Sequence, residues 1–365
     1  MSKRLRRHLG QLIVAGFAGD TIPQELRSLA HEFDLGGVIL FDRNIDAPGQ
    51  IAELAYDARN LSRETPVWVS VDQEGGRVAR LRAPFTEWPP MTTLGLSQDL
   101  ELAVRFGRAL AAELRAVGVT LDYAPVLDVN TNSENPVIGD RALSDCTDDV
   151  ARFGTAIVDA LQGQGIAACG KHFPGHGDTT VDSHDDLPVV DQPQERLREV
   201  ELMPFRAAIA SRVAAILTAH VVYPAFDADL PATMSPTIIG KVLRDELGFE
   251  GIVATDDLEM GAIARHYEFG AATVRSIRAG CDMVLLCGAD TARQAAAIET
   301  LIYALEDGTL SEGRVSDALV RQRRVKERFL VSSQQWRPPT DRALRNLLGC
   351  AEHQAVAEEM EKYVL

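Results

Sequence analysis

Cysteine is scarce in this sequence and shows no pairing pattern. Cys146, Cys169, Cys281, Cys287 and Cys350 are odd in number and widely spaced over 365 residues. That excludes a disulfide framework and a Cys-x-x-Cys zinc site, and it points to a reducing compartment. Long apolar runs are also missing, so no stretch has the length of a membrane-spanning helix. Basic charge is in deficit: 37 Lys and Arg face 53 Asp and Glu, a net charge of −16. Phosphate backbones and anionic lipid would be repelled, so neither nucleic acid nor a membrane is an expected partner. Apolar residues at 46% and charged residues at 25% are ordinary for a packed chain and exclude a disordered one.

The N-terminus carries a signal-like outline, with basic residues 3–7 before the mostly apolar stretch Leu12 to Ala18. That run is short, and Gly10, Gly16 and Gly19 interrupt or flank it. The reading preferred here is a first buried strand, and with it a cytoplasmic protein, since cleavage would remove a structural element.

Short continuous apolar runs recur at Gln11–Gly16, Gly37–Phe41, Val67–Val71, Val119–Tyr123, Ile166–Lys171, Ala214–Ala219, Ile252–Thr255 and Met283–Cys287. Such runs are expected of parallel strands buried on both faces. Helical spacing fills the gaps, over Leu100–Val117, Val150–Leu161, Arg196–Ile209, Thr237–Leu247, Ala271–Ala279 and Thr291–Leu305. Starts are legible at Thr147, Ser235-Pro236 and Asp290, and stops at Gly163, Gly248 and Gly280. Eight strands alternating with helices predict an α/β TIM (β/α)8 barrel, with a doubly wound open sheet as the alternative. The expected organisation is a catalytic barrel over residues 1–330 and a C-terminal helical extension over 331–365. Ser311–Phe329 reads as the last barrel helix, Trp336–Thr340 as a break, and Asp341–Leu365 as one or two helices.

Barrel enzymes place their chemistry where strands end, and charged residues cluster there. The third run leads into Asp72-Gln73-Glu74-Gly75-Gly76-Arg77-Val78-Ala79-Arg80, and the fourth into a segment reaching Asn135-Pro136-Val137-Ile138-Gly139-Asp140-Arg141. The fifth leads into Lys171-His172-Phe173-Pro174-Gly175-His176-Gly177-Asp178-Thr179-Thr180-Val181-Asp182-Ser183-His184, the sixth into His220, and the seventh into Thr255-Asp256-Asp257. Charge left bare after an apolar strand is costly, so these residues need partners or a task.

The loop 171–184 has three readings: a metal site built on His172, His176 and Asp182, a self-satisfied polar loop, or a carrier of an acid/base. The third is favoured. In an extended stretch Asp182 and His184 point the same way, and a carboxylate beside an imidazole fixes its tautomer and favours its protonated form. Such a pair can give a proton to a leaving group and later take one from water. Asp256, ending its strand, can act as a nucleophile toward a sugar carbon. Glycoside cleavage usually uses two carboxyl groups, and a histidine in one of those places is a workable departure.

These blocks together resemble the signature of glycoside hydrolase family 3, and within it the β-N-acetylhexosaminidase branch. The resemblance rests on Lys171–Thr179, Asp182-Ser183-His184, Leu187-Pro188, Asp72–Val78, Asn135–Arg141, Ser235-Pro236 and Thr255-Asp256-Asp257-Leu258-Glu259-Met260-Gly261-Ala262, in family order. It implies a TIM barrel and a retaining, two-step hydrolysis through a covalent glycosyl-enzyme. It also implies Asp256 as nucleophile, His184 as acid/base and Asp182 as its partner. Asp72, Arg80, Arg141, Lys171 and His172 are implied as sugar-binding residues. The implied substrate is terminal β-linked N-acetylglucosamine, especially on muropeptides from cell-wall turnover, with no cofactor and no metal. A β-glucosidase, a phosphorylase and a non-catalytic sugar-binding barrel are the competing outputs.

Other residues are read as supporting. His176 braces its loop, and Arg77 and Asp257 are structural. Asp122, Asp128 and Asp140 orient the arginines, His220 is a rim or supporting residue, and His8, His31, His266 and His353 lie on the surface.

Overall fold

The structure is a computed structural model that describes residues 2–62, 64–330 and 335–364. Eight parallel strands close into a barrel: β1 Ile13–Ala15, β2 Gly37–Leu40, β3 Trp68–Val71, β4 Leu121–Asp122, β5 Ala167–Phe173, β6 Ala215–Thr218, β9 Ile252–Asp257 and β10 Met283–Leu286. Around the barrel they follow one another in chain order, and β10 pairs with β1 to complete the circle. A small antiparallel hairpin, β7 Val222–Tyr223 with β8 Asp227–Pro231, interrupts the alternation after β6. All eight expected runs are barrel strands, and the open-sheet alternative is excluded by closure.

The runs are continuously apolar because the barrel has two apolar surfaces. Val14, Ile39, Trp68, Leu121, Ala167, Leu217, Ala254 and Leu285 point inward into one buried cluster. Their neighbours Ile13, Ala15, Val38, Val69, Ile216 and Val253 face the helical ring. The end of the helix Glu312–Phe329 closes the N-terminal end of the barrel, where Val325, Phe329 and Leu330 join the inner cluster. Lys326 Nζ donates there to Gln11 Oε1 (2.7 Å) and to the carbonyl of Gly36 (2.8 Å).

Asp290 caps its helix as expected, Ser235 Oγ accepts from Ile238 N at 3.1 Å, and Ser311 Oγ accepts from Arg314 N at 3.1 Å as the cap of the helix Glu312–Phe329. Three expectations shift. The helix near 150 begins at Thr147 itself, after Cys146. Gly163 is its last residue, and Gly165 takes the positive φ of +87° that a stop needs. The stretch read as one helix over 196–209 is two, Gln194–Glu199 and Leu202–Ala210. Pro204 accounts for the break: it has no N–H to donate to the carbonyl four residues earlier, and its ring crowds that carbonyl. Thr237–Glu246 is wound as a π-helix.

The apolar run near the N-terminus is the first barrel strand, and Leu12 to Phe17 are buried. Among the described residues no helix is long and apolar enough to cross a membrane. The boundary expected after residue 330 opens onto 331–334, which lie outside the described residues. Beyond it, helices Asp341–Leu347 and Ala351–Glu361 pack Leu344, Leu348, Val356 and Met360 into the main core.

Candidate active site

Because the strands are parallel, their C-terminal ends share one face of the barrel. Lys171 and His172 lie within β5, Asp72 follows β3 directly, and Asp256 lies near the end of β9. Glu74 is central to the resulting network. It is buried, it accepts two hydrogen bonds from Arg141 (Nε to Oε2 at 2.9 Å and Nη2 to Oε1 at 2.8 Å), and it lies 2.6 Å from Lys171 Nζ. Burial alone would raise the Glu74 carboxyl, but the attraction of Lys171 and Arg141 outweighs it and holds the group far below the usual range. Glu74 and Asp72 in turn keep Lys171 and Arg141 protonated against the cost of their own burial.

Lys171 Nζ also donates to Asp72 Oδ1 at 2.8 Å. Arg80 Nη2 stands 3.7 Å from Asp72 Oδ2, with its guanidinium 5.3 Å over the ring of Phe41. His172 Nδ1 bonds Asp128 Oδ2 at 2.7 Å, and its Nε2 faces Arg141 Nη2 at 3.5 Å. A carboxylate on Nδ1 and a guanidinium on Nε2 select the tautomer with its proton on Nδ1. Asp72, Arg80, Arg141, Lys171 and His172 therefore form one connected cluster.

Of the three aspartates expected to orient arginines, only Asp140 does so. Asp128 bonds His172 and the backbone N–H of His176 (2.7 Å), not an arginine. Asp140 holds Arg77 at 2.9 Å on the exposed rim. Asp122 accepts from Gln73 N at 2.9 Å, and burial pushes its carboxyl well up. The residue that orients Arg141 is Glu74, from 67 positions away in the chain. A single sequence offered no sign of that pairing beyond the motif containing Glu74. Phe41 was likewise visible only as the last residue of an apolar run.

Asp182 and His184 do pair, but in a turn rather than the expected extended stretch: Asp185 N and Asp186 N both donate to the Asp182 carbonyl (3.0 and 3.1 Å). Asp182 Oδ1 accepts from His184 Nδ1 at 2.7 Å and from His184 N at 2.9 Å. Partial burial pushes the Asp182 carboxyl up, but these bonds outweigh it and the net shift is downward. His184 is the exposed member, with 64% of its side chain accessible, and its Nε2 makes no hydrogen bond among the described residues. His176 does brace the loop. Its ring bonds Thr179 Oγ1 (2.8 Å) and Ser183 Oγ (3.1 Å), and burial lowers its pKa to about 4, so it is neutral near pH 7. The His172 ring packs edge-on against it, with centroids 5.7 Å apart, and both His176 ring nitrogens are committed to Thr179 and Ser183. No group of three His, Cys, Asp or Glu placed to hold a metal occurs among the described residues.

The Asp182–His184 loop is tied by backbone to the segment that follows the strand carrying Asp256. Gly261 N donates to the His184 carbonyl (3.2 Å) and Ala262 N to the Ser183 carbonyl (3.1 Å). Both donors begin the short helix Gly261–Ala264, a few residues beyond Asp256. A Cβ at position 261 would overlap the His184 carbonyl oxygen. Gly261→Ala is therefore expected to displace the loop and cut activity roughly tenfold or more, the kind of penalty a small misplacement carries. Its unfolding midpoint should stay close to wild type, because the contact lies on an exposed loop. Parallel rate and thermal-melt measurements check this, and full activity in the variant would refute it.

Asp256 Oδ1 accepts from Asp257 N at 2.8 Å. Burial pushes its carboxyl up, but His220, His172, the Asp257 amide and Lys171 outweigh that and the pKa is lowered. Lys171 is the dependable cation among these, because burial lowers the pKa of His220. His220 Nε2 donates to the Asp257 carbonyl (2.9 Å) and Nδ1 bonds Thr233 Oγ1 (2.8 Å), so it steadies the strand end. Asp257 bonds Cys287 N and Glu259 N through Oδ1 (3.1 Å each). Burial first, then repulsion from Glu259 and Asp256, raise its carboxyl to about 7. It is thus partly protonated near neutral pH and adds little negative charge beside Asp256.

A closed parallel barrel bearing a carboxylate and an Asp–His pair on its C-terminal face fits the architecture of a barrel glycoside hydrolase. Comparison with known proteins narrows the class. Residues 4–325 match the Glycosyl hydrolase family 3 N terminal domain, and the chain belongs to that family. The β-hexosaminidase of Nitrosomonas eutropha is 43% identical over 289 residues, spanning 76% of this chain and 81% of that protein. A solved family 3 β-N-acetylglucosaminidase from Paenibacillus sp. FPU-7 superposes with a TM-score of 0.90 at 40% identity, covering 98% of this chain and 68% of that one. NagZ from Neisseria gonorrhoeae, solved with N-trifluoroacetyl-D-glucosamine, superposes at 0.76 with 30% identity over 96% of this chain and 97% of that one.

Proposed function

We propose that the chain is an exo-acting, retaining β-N-acetylglucosaminidase in which Asp256 is the nucleophile, His184 the acid/base and Asp182 its partner. The observation that carries this reading is the backbone docking of the Asp182–His184 loop onto the segment following Asp256. It links a bonded imidazole, with Nε2 unengaged, to the strand bearing a carboxylate kept ionised.

In the first step Asp256 attacks the anomeric carbon and the glycosidic C–O bond breaks. The departing oxygen takes the Nε2 proton of the His184 imidazolium. Asp182, an anion at neutral pH, stabilises that imidazolium and keeps the remaining proton on Nδ1. In the second step neutral Nε2 takes a proton from water, the water oxygen bonds to the anomeric carbon, and Asp256 leaves as carboxylate. Asp72 would accept from sugar hydroxyls, while Arg80, Arg141, Lys171 and His172 would face hydroxyls or the acetamido oxygen. The charge on Lys171 and Arg141 is already balanced by Glu74 and Asp72, so a neutral sugar meets no bare ion. The named relatives extend the reading to N-acetylglucosamine-terminated substrates. Muropeptide fragments from cell-wall turnover, met in the cytoplasm, are the proposed natural ones.

The test compares nitrophenol release from the β-N-acetylglucosaminide and the β-glucoside, with and without chelator and with and without phosphate. Turnover of the acetylated sugar alone is expected, insensitive to chelator, with free N-acetylglucosamine as product in phosphate buffer. Turnover of the glucoside alone, or of neither sugar, would overturn the assignment, and a sugar phosphate product would convert it to phosphorolysis.

A further inference from the structure

We infer that the C-terminal helices are part of the sugar-binding machinery. Through Glu113 and Thr86, the Gly349–His353 segment positions the loop that carries Asp72, Glu74 and Arg80. The inference rests on the function proposed above for the sugar contacts, and on geometry for the link itself.

Glu113 lies buried on the helix Leu100–Ala116 and is not one of the residues around the barrel mouth. Its carboxylate accepts four hydrogen bonds from two directions. Thr86 supplies its backbone N–H (2.9 Å) and hydroxyl (2.7 Å). Gly349 N (2.9 Å) and His353 Nδ1 (2.8 Å) arrive from the C-terminal helices. A buried carboxylate needs such donors, since each one lost leaves uncompensated charge in an apolar setting. The chain crosses closely here as well. Gly349 has φ of +57°, and a Cβ on it would stand 2.5 Å from the Pro84 carbonyl oxygen.

The segment held by Thr86 forms the outer wall of the sugar loop. Gly76 N donates to the Trp88 carbonyl at 2.9 Å. Gly75, at φ +103°, leaves so little room that a Cβ would stand 2.5 Å from Met91 Cε. Trp88 itself rests edge-on against Phe106 of the same helix, with ring centroids 5.0 Å apart. On the inner side, Gln73 Oε1 accepts from Arg80 N (2.8 Å) and Leu81 N (2.9 Å), closing the loop upon itself. The loop from Asp72 to Arg80 is therefore wedged between the barrel end and a wall whose backing is Glu113. His353, expected on the surface, is instead buried as one of the two C-terminal donors that complete this backing.

In this scheme His353 and Glu113 are positioning residues. Full-length His353→Ala is compared with His353→Asn, whose amide nitrogen can take the place of Nδ1, and with Arg105→Ala. The last cuts the 2.9 Å ion pair to Glu359 on the outer edge of the same extension without touching Glu113. Two readouts are taken: hydrogen exchange of amides 73–81, and steady-state kinetics on the nitrophenyl β-N-acetylglucosaminide. His353→Ala should raise exchange across 73–81 and raise KM about fivefold or more, with kcat within about twofold. His353→Asn should restore both, and Arg105→Ala should change neither. Unchanged exchange at 73–81, raised exchange with unchanged KM, or equal effects from Arg105→Ala would each overturn the inference. If His353→Ala does not fold, Thr86→Val removes one donor from the other side at nearly constant volume and is read by the same outcomes. A wild-type chain inactive on this substrate would sink the proposed function, while the exchange measurement would still decide whether the link exists.

Discussion

Asp256→Asn is expected to lose at least about 10⁴-fold in kcat on the β-N-acetylglucosaminide, because catalytic groups acting as a unit fail together when one is removed. The amide is nearly isosteric, and its oxygen can still accept from Asp257 N. The melting temperature should therefore hold while turnover disappears. The amide is a far weaker nucleophile, so the covalent glycosyl-enzyme should also vanish. Mass spectrometry of rapidly quenched enzyme checks that, as a sugar-sized adduct on wild type that is missing from the variant. Since the Asp256 carboxyl is held below its ordinary value, wild-type activity near pH 5 should not be limited by its protonation. Activity above about one hundredth of wild type in Asp256→Asn would remove the residue from the nucleophile's role.

His184→Ala should behave differently, and the difference depends on the leaving group. With a poor leaving group the loss should reach roughly 10²–10⁴-fold, the usual range for general acid–base catalysis. With nitrophenol, which departs without protonation, the first step should be largely spared. The second step still lacks its base, so the glycosyl-enzyme should accumulate as a burst followed by slow turnover. Azide needs no deprotonation to attack and should restore turnover by forming a glycosyl azide. The structure favours a large effect from this one side chain, because it is the exposed member of its pair and Nε2 has no competing bond among the described residues. Equal losses on good and poor leaving groups, with no rescue by azide, would indicate that His184 serves only to hold the loop.

The barrel was legible because burial on two faces writes itself into each strand as an unbroken apolar run. Val14 faces inward, Ile13 and Ala15 face outward, and none of the three can be polar. The catalytic candidates were legible because their partners are local in the chain. Asp182 and His184 are two residues apart, and Asp256 ends an apolar strand, where a carboxylate requires a reason. The break before Pro204 was readable in principle, since proline removes a donor from the turn ahead of it. Its position within an otherwise helical pattern concealed it.

Long-range pairing was beyond the reach of the sequence. Nothing near Glu74 announces that its partner is Arg141, or that Asp128 takes His172. His353 reads as a surface histidine until its helix is laid against Glu113, 240 positions earlier in the chain. The strand and helix alternation, the positions of the acidic and basic strand ends and the Asp–His pair can all be read along the chain. Those features follow from periodicity and short-range chemistry. Tertiary structure alone decided which buried charges neutralise one another, that the end of the helix Glu312–Phe329 plugs the barrel, and that the C-terminal helices back the sugar loop. A buried ion is stabilised by whichever opposite charge or donor the fold brings within about 3 Å, and that choice is made by chain closure rather than by neighbours in sequence.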